Sequence, residues 1–178
     1  MLTPATGAAV ESTIQASFSR ATRIGAHVAV VEVDADTGKV THLRHIACDD
    51  AGTILNPMLL TGQVHGGIAQ GTAQALYEEV CSDADGNPIT SNLAEYAMIT
   101  TDLMPDIERV PMETATWVNE LGAKGIGESG TIGSTPAVHS AVIDALSHLG
   151  VRHCGTHALA GPSHGVTSKI NHFARNRS

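Results

Sequence analysis

Valine-rich and alternating positions dominate the chain from Gly25 onward. HVAVVEVD is followed by the turn residues of ADTGK, and VTHLRHIACDD then sets Val40, His42 and Arg44 against Thr41, Leu43 and His45 before turning apolar. Alternation broken by a glycine-containing turn predicts a β-hairpin. The pair Asn56-Pro57 favours an extended residue 56 and puts Pro57 where a helix can begin. Over residues 58 to 80, Leu60, Val64, Ile68 and Ala75 recur at helical spacing, and Leu76, Glu79 and Val80 close the last turns. This is the main predicted helix. It carries Gly62, Gly66, Gly67 and Gly71, each costing roughly 1 kcal/mol relative to alanine. Close approach of another group to the backbone would account for them. Gln63, Gly67, Gln70 and Gln74 form a further stripe, read either as solvated glutamines on a tightly packed helix or as amides and bare backbone presented to a ligand.

Asp85-Gly86-Asn87-Pro88 marks a turn and predicts a second hairpin or strand pair. In MPDIERVPMETATWV, Pro105 and Pro111 suit an edge strand. A glycine-dense loop, GAKGIGESGTIG, then leads to a helix predicted to begin near Pro136. Val138, Val142 and Leu146 form its apolar stripe and Gly150 stops it. Residues 1–24 read as an irregular leader in which Val10, Ile14 and Phe18 could mark one short amphipathic helix. Residues 153–178 read as an irregular or disordered tail, so the patterned unit is 25–152.

The chain has 178 residues, with 10 Lys and Arg against 18 Asp and Glu for a net charge of −8. Such a balance, with no cationic cluster, speaks against a nucleic-acid surface and against acidic membrane lipids. Two Phe, two Tyr and one Trp leave the core to Ala, Val, Ile and Leu, as in close-packed layers of helix and sheet. No apolar run approaches the roughly 18 residues of a membrane span, and the first residues lack a basic and an apolar targeting region. A cytoplasmic protein is expected. Cys48, Cys81 and Cys154 form no CxxC pair, which fits a reducing compartment and no thiolate metal site.

The glycine loop is the candidate for chemistry. Glycine frees backbone amides to form an anion nest, and a following helix adds its dipole. GxxxxGK[ST] is absent, and residues 125–130 match GxGxxG in spacing only. Glu128 within such a nest makes sense as a working acid or base on a fixed backbone, although residue type and spacing alone favour a surface carboxylate in a flexible loop. Asp49 and Asp50 are adjacent, so on an extended strand their carboxylates point opposite ways. The His153, Cys154 and His157 group lacks a further ligand pair for zinc.

GAHVAVVEVDADTGKV, DDAGTILNPMLLTGQVHGGIAQGTAQALYEEV and LGAKGIGESGTIGSTPAVHSAVIDALSHLGV, in that order, resemble the C-terminal part of the molybdenum hydroxylase large subunit. The family includes xanthine dehydrogenase, aldehyde oxidoreductase and aerobic carbon monoxide dehydrogenase, and the chain looks most similar to the bacterial carbon monoxide dehydrogenase-like branch. The resemblance covers residues 25–152 and implies an α+β fold, part of the molybdenum-cofactor-binding domain, with β-hairpins and two main helices. It implies that Gln63, Lys124, Gly125, Ile126 and Gly127 contact a molybdopterin cytosine dinucleotide, and that Glu128 is the general base in a water-dependent oxidation of an aldehyde, an N-heterocycle or carbon monoxide. It further implies iron-sulfur clusters and FAD on partner chains. The rest of the large subunit would supply the substrate pocket, so the isolated chain is expected to be inactive. The alternative is a non-catalytic remnant or self-associating module. The tail after Arg152 departs from the family pattern.

Overall fold

A computed structural model describes residues 24–34 and 38–153, apart from the Leu149 side chain. The readings made for the leader and for the tail from Cys154 onward lie outside the described residues. Strand β1 (Gly25–Val33) pairs antiparallel with β2 (Val40–Asp49), as the alternation predicts. Strand β3 (Asp106–Arg109) adds in parallel to β2, giving the order β1-β2-β3 and placing the proline-flanked strand at an edge. Helix α1 (Pro57–Leu76) and helix α2 (Ser129–Ala145) pack on each other, and α2 also packs on β1. The arrangement is α+β.

The hairpin register departs from simple alternation at one point. Val30 faces Arg44, but Val31 faces His42, so Leu43 is an extra residue in β2. A bulge of this kind resets which residues face inward. Strict alternation would put His42 and His45 on opposite faces; with Leu43 bulged out, both are buried.

Two apolar clusters fill the space between sheet and helices. One joins Ala75, Leu76, Val138, Val142, Leu146 and Val151, with Ala29, Val31, Val33 and Val40 packed against it. The other joins Ala47, Ala51, Leu60, Val64 and Ile68 beneath Ile54, Ile107 and Ile126. The aliphatic stripes predicted for both helices are therefore the core. Asn56 caps α1, its Oδ1 accepting from Met58 N and Leu59 N at 3.1 Å each, with Pro57 as the first helical residue.

Two sequence expectations are corrected. The second hairpin reduces to a single bridge between Ser82 and Pro88. There the Asp83 carboxylate organises the turn, accepting from the amides of Asp85 and Asn87 at 3.0 and 2.8 Å and from Asn87 Nδ2 at 3.0 Å. A side chain thus does what a strand ladder would do. Helix α2 begins at Ser129, with Pro136 inside it rather than at its start. An interior proline removes one helical hydrogen bond, at a cost of about 3 kcal/mol. Burial of Gly130 and Ser134 against α1 offsets it. A Cβ on Gly67 would stand 3.0 Å from Gly130 Cα, and one on Gly71 would overlap the Ser134 hydroxyl. Glycine is required at both positions. Gly62 and Gly66, by contrast, face open space.

Among the described residues, no helix is long and apolar enough to cross a membrane.

Candidate functional site

The first two turns of α1 and the glycine loop before α2 form the walls of a cleft of about 360 Å³. Leu59, Leu60 and Gln63 line it from the helix, and Lys124, Ile126 and Gly127 from the loop. These two stretches lie 64 positions apart and are joined by one hydrogen bond, in which Gln63 Nε2 donates to the Gly127 carbonyl at 2.8 Å. Further along, Thr131 Oγ1 donates to Gln70 Oε1 at 3.3 Å and Thr135 Oγ1 to Gln74 Oε1 at 3.2 Å. The glutamine stripe is thus a row of rungs from α1 to the loop and α2, rather than a solvated face.

The base of the loop is fixed by buried polar contacts. Lys124 Nζ donates to Asp50 Oδ2 at 2.6 Å, with side chains 8% and 0% exposed. Asp50 Oδ1 accepts from the amides of Gly52 at 2.8 Å and Thr114 at 3.0 Å. Burial pushes the Asp50 carboxyl up, but the Lys124 ammonium and the two amide donors outweigh it and hold the group below the usual carboxylate range. Gly52 and Gly122 both have positive φ, 65° and 67°, and a Cβ on Gly52 would overlap the Gly122 carbonyl. Lys124 N donates to Ala51 O at 2.8 Å, which closes the junction.

Beyond Lys124 the loop is open. The amides of Gly125, Ile126, Gly127 and Glu128 donate to no acceptor among the described residues, and a Cβ at Gly125 or Gly127 would meet nothing within 4 Å. Glu128 occupies the N-cap position of α2, is exposed, and makes no side-chain cap bond. It follows Gly127 directly but does not line the cleft.

The five residues assigned by resemblance to cofactor contact therefore lie together, although they differ in how they could act. Gln63 retains its Oε1 as an acceptor, while Gly125, Ile126 and Gly127 offer free backbone donors. The charge of Lys124 is committed to Asp50. For Asp50 the sequence offered only a capping or turning role before Gly52, which its bond to the Gly52 amide fulfils, and not the anchoring of the loop. Its adjacency to Asp49 showed diverging side chains, but nothing local pointed to a lysine 74 positions away. Among the described residues there is no cluster of three or more His, Cys, Asp or Glu able to hold a metal ion, and Cys48 and Cys81 are free thiols.

The family description "Molybdopterin cofactor-binding domain" matches residues 4–105. The carbon monoxide dehydrogenase large chain of Hydrogenophaga pseudoflava is 39% identical over 129 residues, covering 72% of this chain and 16% of that protein. Among solved structures, quinoline 2-oxidoreductase from Pseudomonas putida 86 is 44% identical with a TM-score of 0.68, covering 70% of this chain and 16% of that one. Reconstituted CO dehydrogenase from Oligotropha carboxidovorans is 31% identical with a TM-score of 0.75, covering 86% and 18%. The chain spans less than a fifth of the length of each of these relatives.

Proposed function

The chain belongs to the molybdopterin cofactor-binding domain family, and from that premise we propose that it forms one wall of the cofactor pocket in a multi-chain molybdenum hydroxylase. The observation that carries this reading is the Gln63 to Gly127 hydrogen bond. It brings the GQVHGG helix and the GAKGIGE loop to one cleft, beside four consecutive unpaired amides. Unpaired donors on a backbone that is bare at Gly125 and Gly127 suit the phosphate groups of a pterin dinucleotide, and the α2 N-terminus adds a favourable dipole. The residues present fit a phosphate-bearing molybdopterin, and the cytosine dinucleotide form is part of the proposal.

The bound cofactor would supply the redox centre for a two-electron oxidation that takes its oxygen from water. Gln63 would hold the pterin through Oε1 while its Nε2 fixes the loop. Residues 125–127 would bind through their amides, and Lys124 would support them from beneath. Glu128, at the N-cap of α2, would take the proton from the attacking water. Its exposure in this chain means that the remainder of the large subunit must exclude solvent there. That remainder would also set the substrate, an aldehyde, an N-heterocycle or carbon monoxide, and would pass electrons to iron-sulfur and flavin chains in the cytoplasm. A second reading, a self-associating module without catalysis, is favoured by the exposed apolar side chains lining the cleft, Leu55 at 64% and Leu59 at 66%.

The deciding experiment is isolation of the tagged chain from its own host, with molybdenum analysis, identification of the released nucleotide, and identification of co-purifying chains. Near-stoichiometric molybdenum with CMP and a large-subunit partner is the expected result. In that assembly, Glu128→Gln should lower turnover by about 10²–10⁴-fold while molybdenum content stays unchanged. Absence of both metal and partner would establish the second reading.

A further inference from the structure

Away from the cleft, three imidazoles lie end to end in the interior. His27 Nε2 lies 3.2 Å from Asp49 Oδ2, and His27 Nδ1 lies 3.0 Å from His45 Nε2. His45 Nδ1 is 3.3 Å from His42 Nε2, and His42 Nδ1 is 3.5 Å from Thr72 Oγ1. His45 and Thr72 are 0% exposed and His42 is 5% exposed. The side chains of His27 and Asp49 are each 2% exposed. Neighbouring rings meet edge to face, with centroids 5.2 Å apart. The contacts use both nitrogens of every ring, so the group is a line rather than a chelate.

The direction of the line follows from its end. A carboxylate only accepts, so His27 must donate from Nε2 and accept at Nδ1. His45 must then donate from Nε2 to His27, and His42 from Nε2 to His45, leaving His42 Nδ1 to accept from the Thr72 hydroxyl. All three neutral rings carry their proton on Nε2, and every bond is satisfied. One further proton can be carried, because His42 can move its hydrogen to Nδ1 and donate to Thr72 Oγ1 while its Nε2 accepts from His45; a second proton sets two N–H donors against each other between neighbouring buried rings. The line is therefore intact with at most one added proton.

We propose that Asp49, His27, His45, His42 and Thr72 form an acid-sensitive latch, a hydrogen-bond line that ties the β1–β2 hairpin to α1 and opens once acid forces a second added proton into it. Thr72 belongs to α1 and the other members to the two strands, so the line joins hairpin to helix beside the apolar packing of Ala47 on Leu60, Val64 and Ile68. The bulge at Leu43 is what makes it possible, because it brings His42 and His45 to the same face. The near end sits against α2, where Gly133 leaves room for the His27 ring, and Ser129 borders the same cavity of about 310 Å³ as His27 and Asp49.

Burial pushes both His42 and His45 down to about 4. For His45, positive charge on His42 or His27 would add to that, against the favourable pull of Asp49. The other ionisable groups on these elements are Glu32 of β1, His65 of α1, Asp106 and Arg109 of β3, the latter level with Ala47, and His139 and Asp144 of α2, the last bordering a cleft with His27. Arg44 and Glu108 pair on the solvent face. An unfolded histidine titrates near 6.5. The unfolded chain therefore binds more protons between about 6.5 and 4, and stability falls as pH falls through that window.

The test needs only the full chain and no cofactor. Imidazole ¹⁵N spectra at pH 7.5 should show the Nε2–H tautomer for His27, His42 and His45, and in a titration His42 and His45 should remain neutral at pH 5.5. The urea midpoint should drop between pH 7.5 and 5, and the double variant His42→Gln/His45→Gln, which keeps polar groups but cannot titrate, should lose most of that drop. An Nδ1–H tautomer on any of the three rings, or titration of His42 and His45 near 6.5 in the folded chain, overturns the latch. A full pH-dependence in the double variant overturns it as well. If that variant does not fold, the wild-type spectra decide alone.

Discussion

Asp50 touches three separated segments through one carboxylate: the turn at Gly52, the strand-like stretch at Thr114 and the loop at Lys124. Its substitution by asparagine keeps the shape but leaves the buried Lys124 ammonium without a counter-charge. Breaking a buried pair in this way costs about 3–5 kcal/mol. Asp50→Asn and Lys124→Met should each lower stability by about that amount, and the double substitution should cost much less than their sum, as read from urea denaturation in a double-mutant cycle. Because the Asp50 carboxyl is held below its unfolded value, the pair contributes fully above that value, near 3.8, and its contribution is lost as pH falls further. This acid step is separate from the histidine window, which lies above it. The residue types of this anchor were visible in the sequence, whereas their pairing depends on the tertiary path of the loop.

At the scale of elements, the four glycines of α1 divide by what faces them. Gly67 and Gly71 admit α2, so Gly67→Ala and Gly71→Ala should separate the helices and cost more than about 1 kcal/mol despite the better helix propensity of alanine. Gly62→Ala and Gly66→Ala meet nothing and should stabilise the chain by about 0.5–1 kcal/mol in thermal or urea unfolding. If a cofactor or partner closes over that face, the same two substitutions should reduce molybdenum retention in the assembly. The helix itself, its cap at Asn56 and its aliphatic stripe were legible because period and capping are local. The first two turns of α2 were not, since SGTIGST reads as loop until the bare surface of α1 is set against it. The bulge at Leu43 was equally hidden: the buried spacing of His42 and His45 belongs to no strand period, and only pairing with β1 reveals it.

The whole molecule has a finished interior and an unfinished exterior. Val28, Val30 and Leu43 are exposed on the sheet face away from the helices, and Met58, Leu93 and Trp117 are 76%, 76% and 91% exposed elsewhere. The Arg109 Nη1 atom is buried and has no hydrogen-bond partner among the described residues. Exposed apolar area on this scale marks surfaces meant to be covered. The isolated chain should therefore self-associate in light scattering coupled to size exclusion, and co-expression with the complementary part of a large subunit should convert it to a defined complex. A strictly monomeric isolated chain at high concentration would argue against a missing cover.

Asp49 and Asp50 share a peptide unit, one ending the imidazole line and the other anchoring the loop. Where that continuity couples the two, thermodynamic reciprocity applies. A ligand that tightens residues 122–128 should make His42 and His45 harder to protonate, and acid should loosen the grip on the ligand by the same factor.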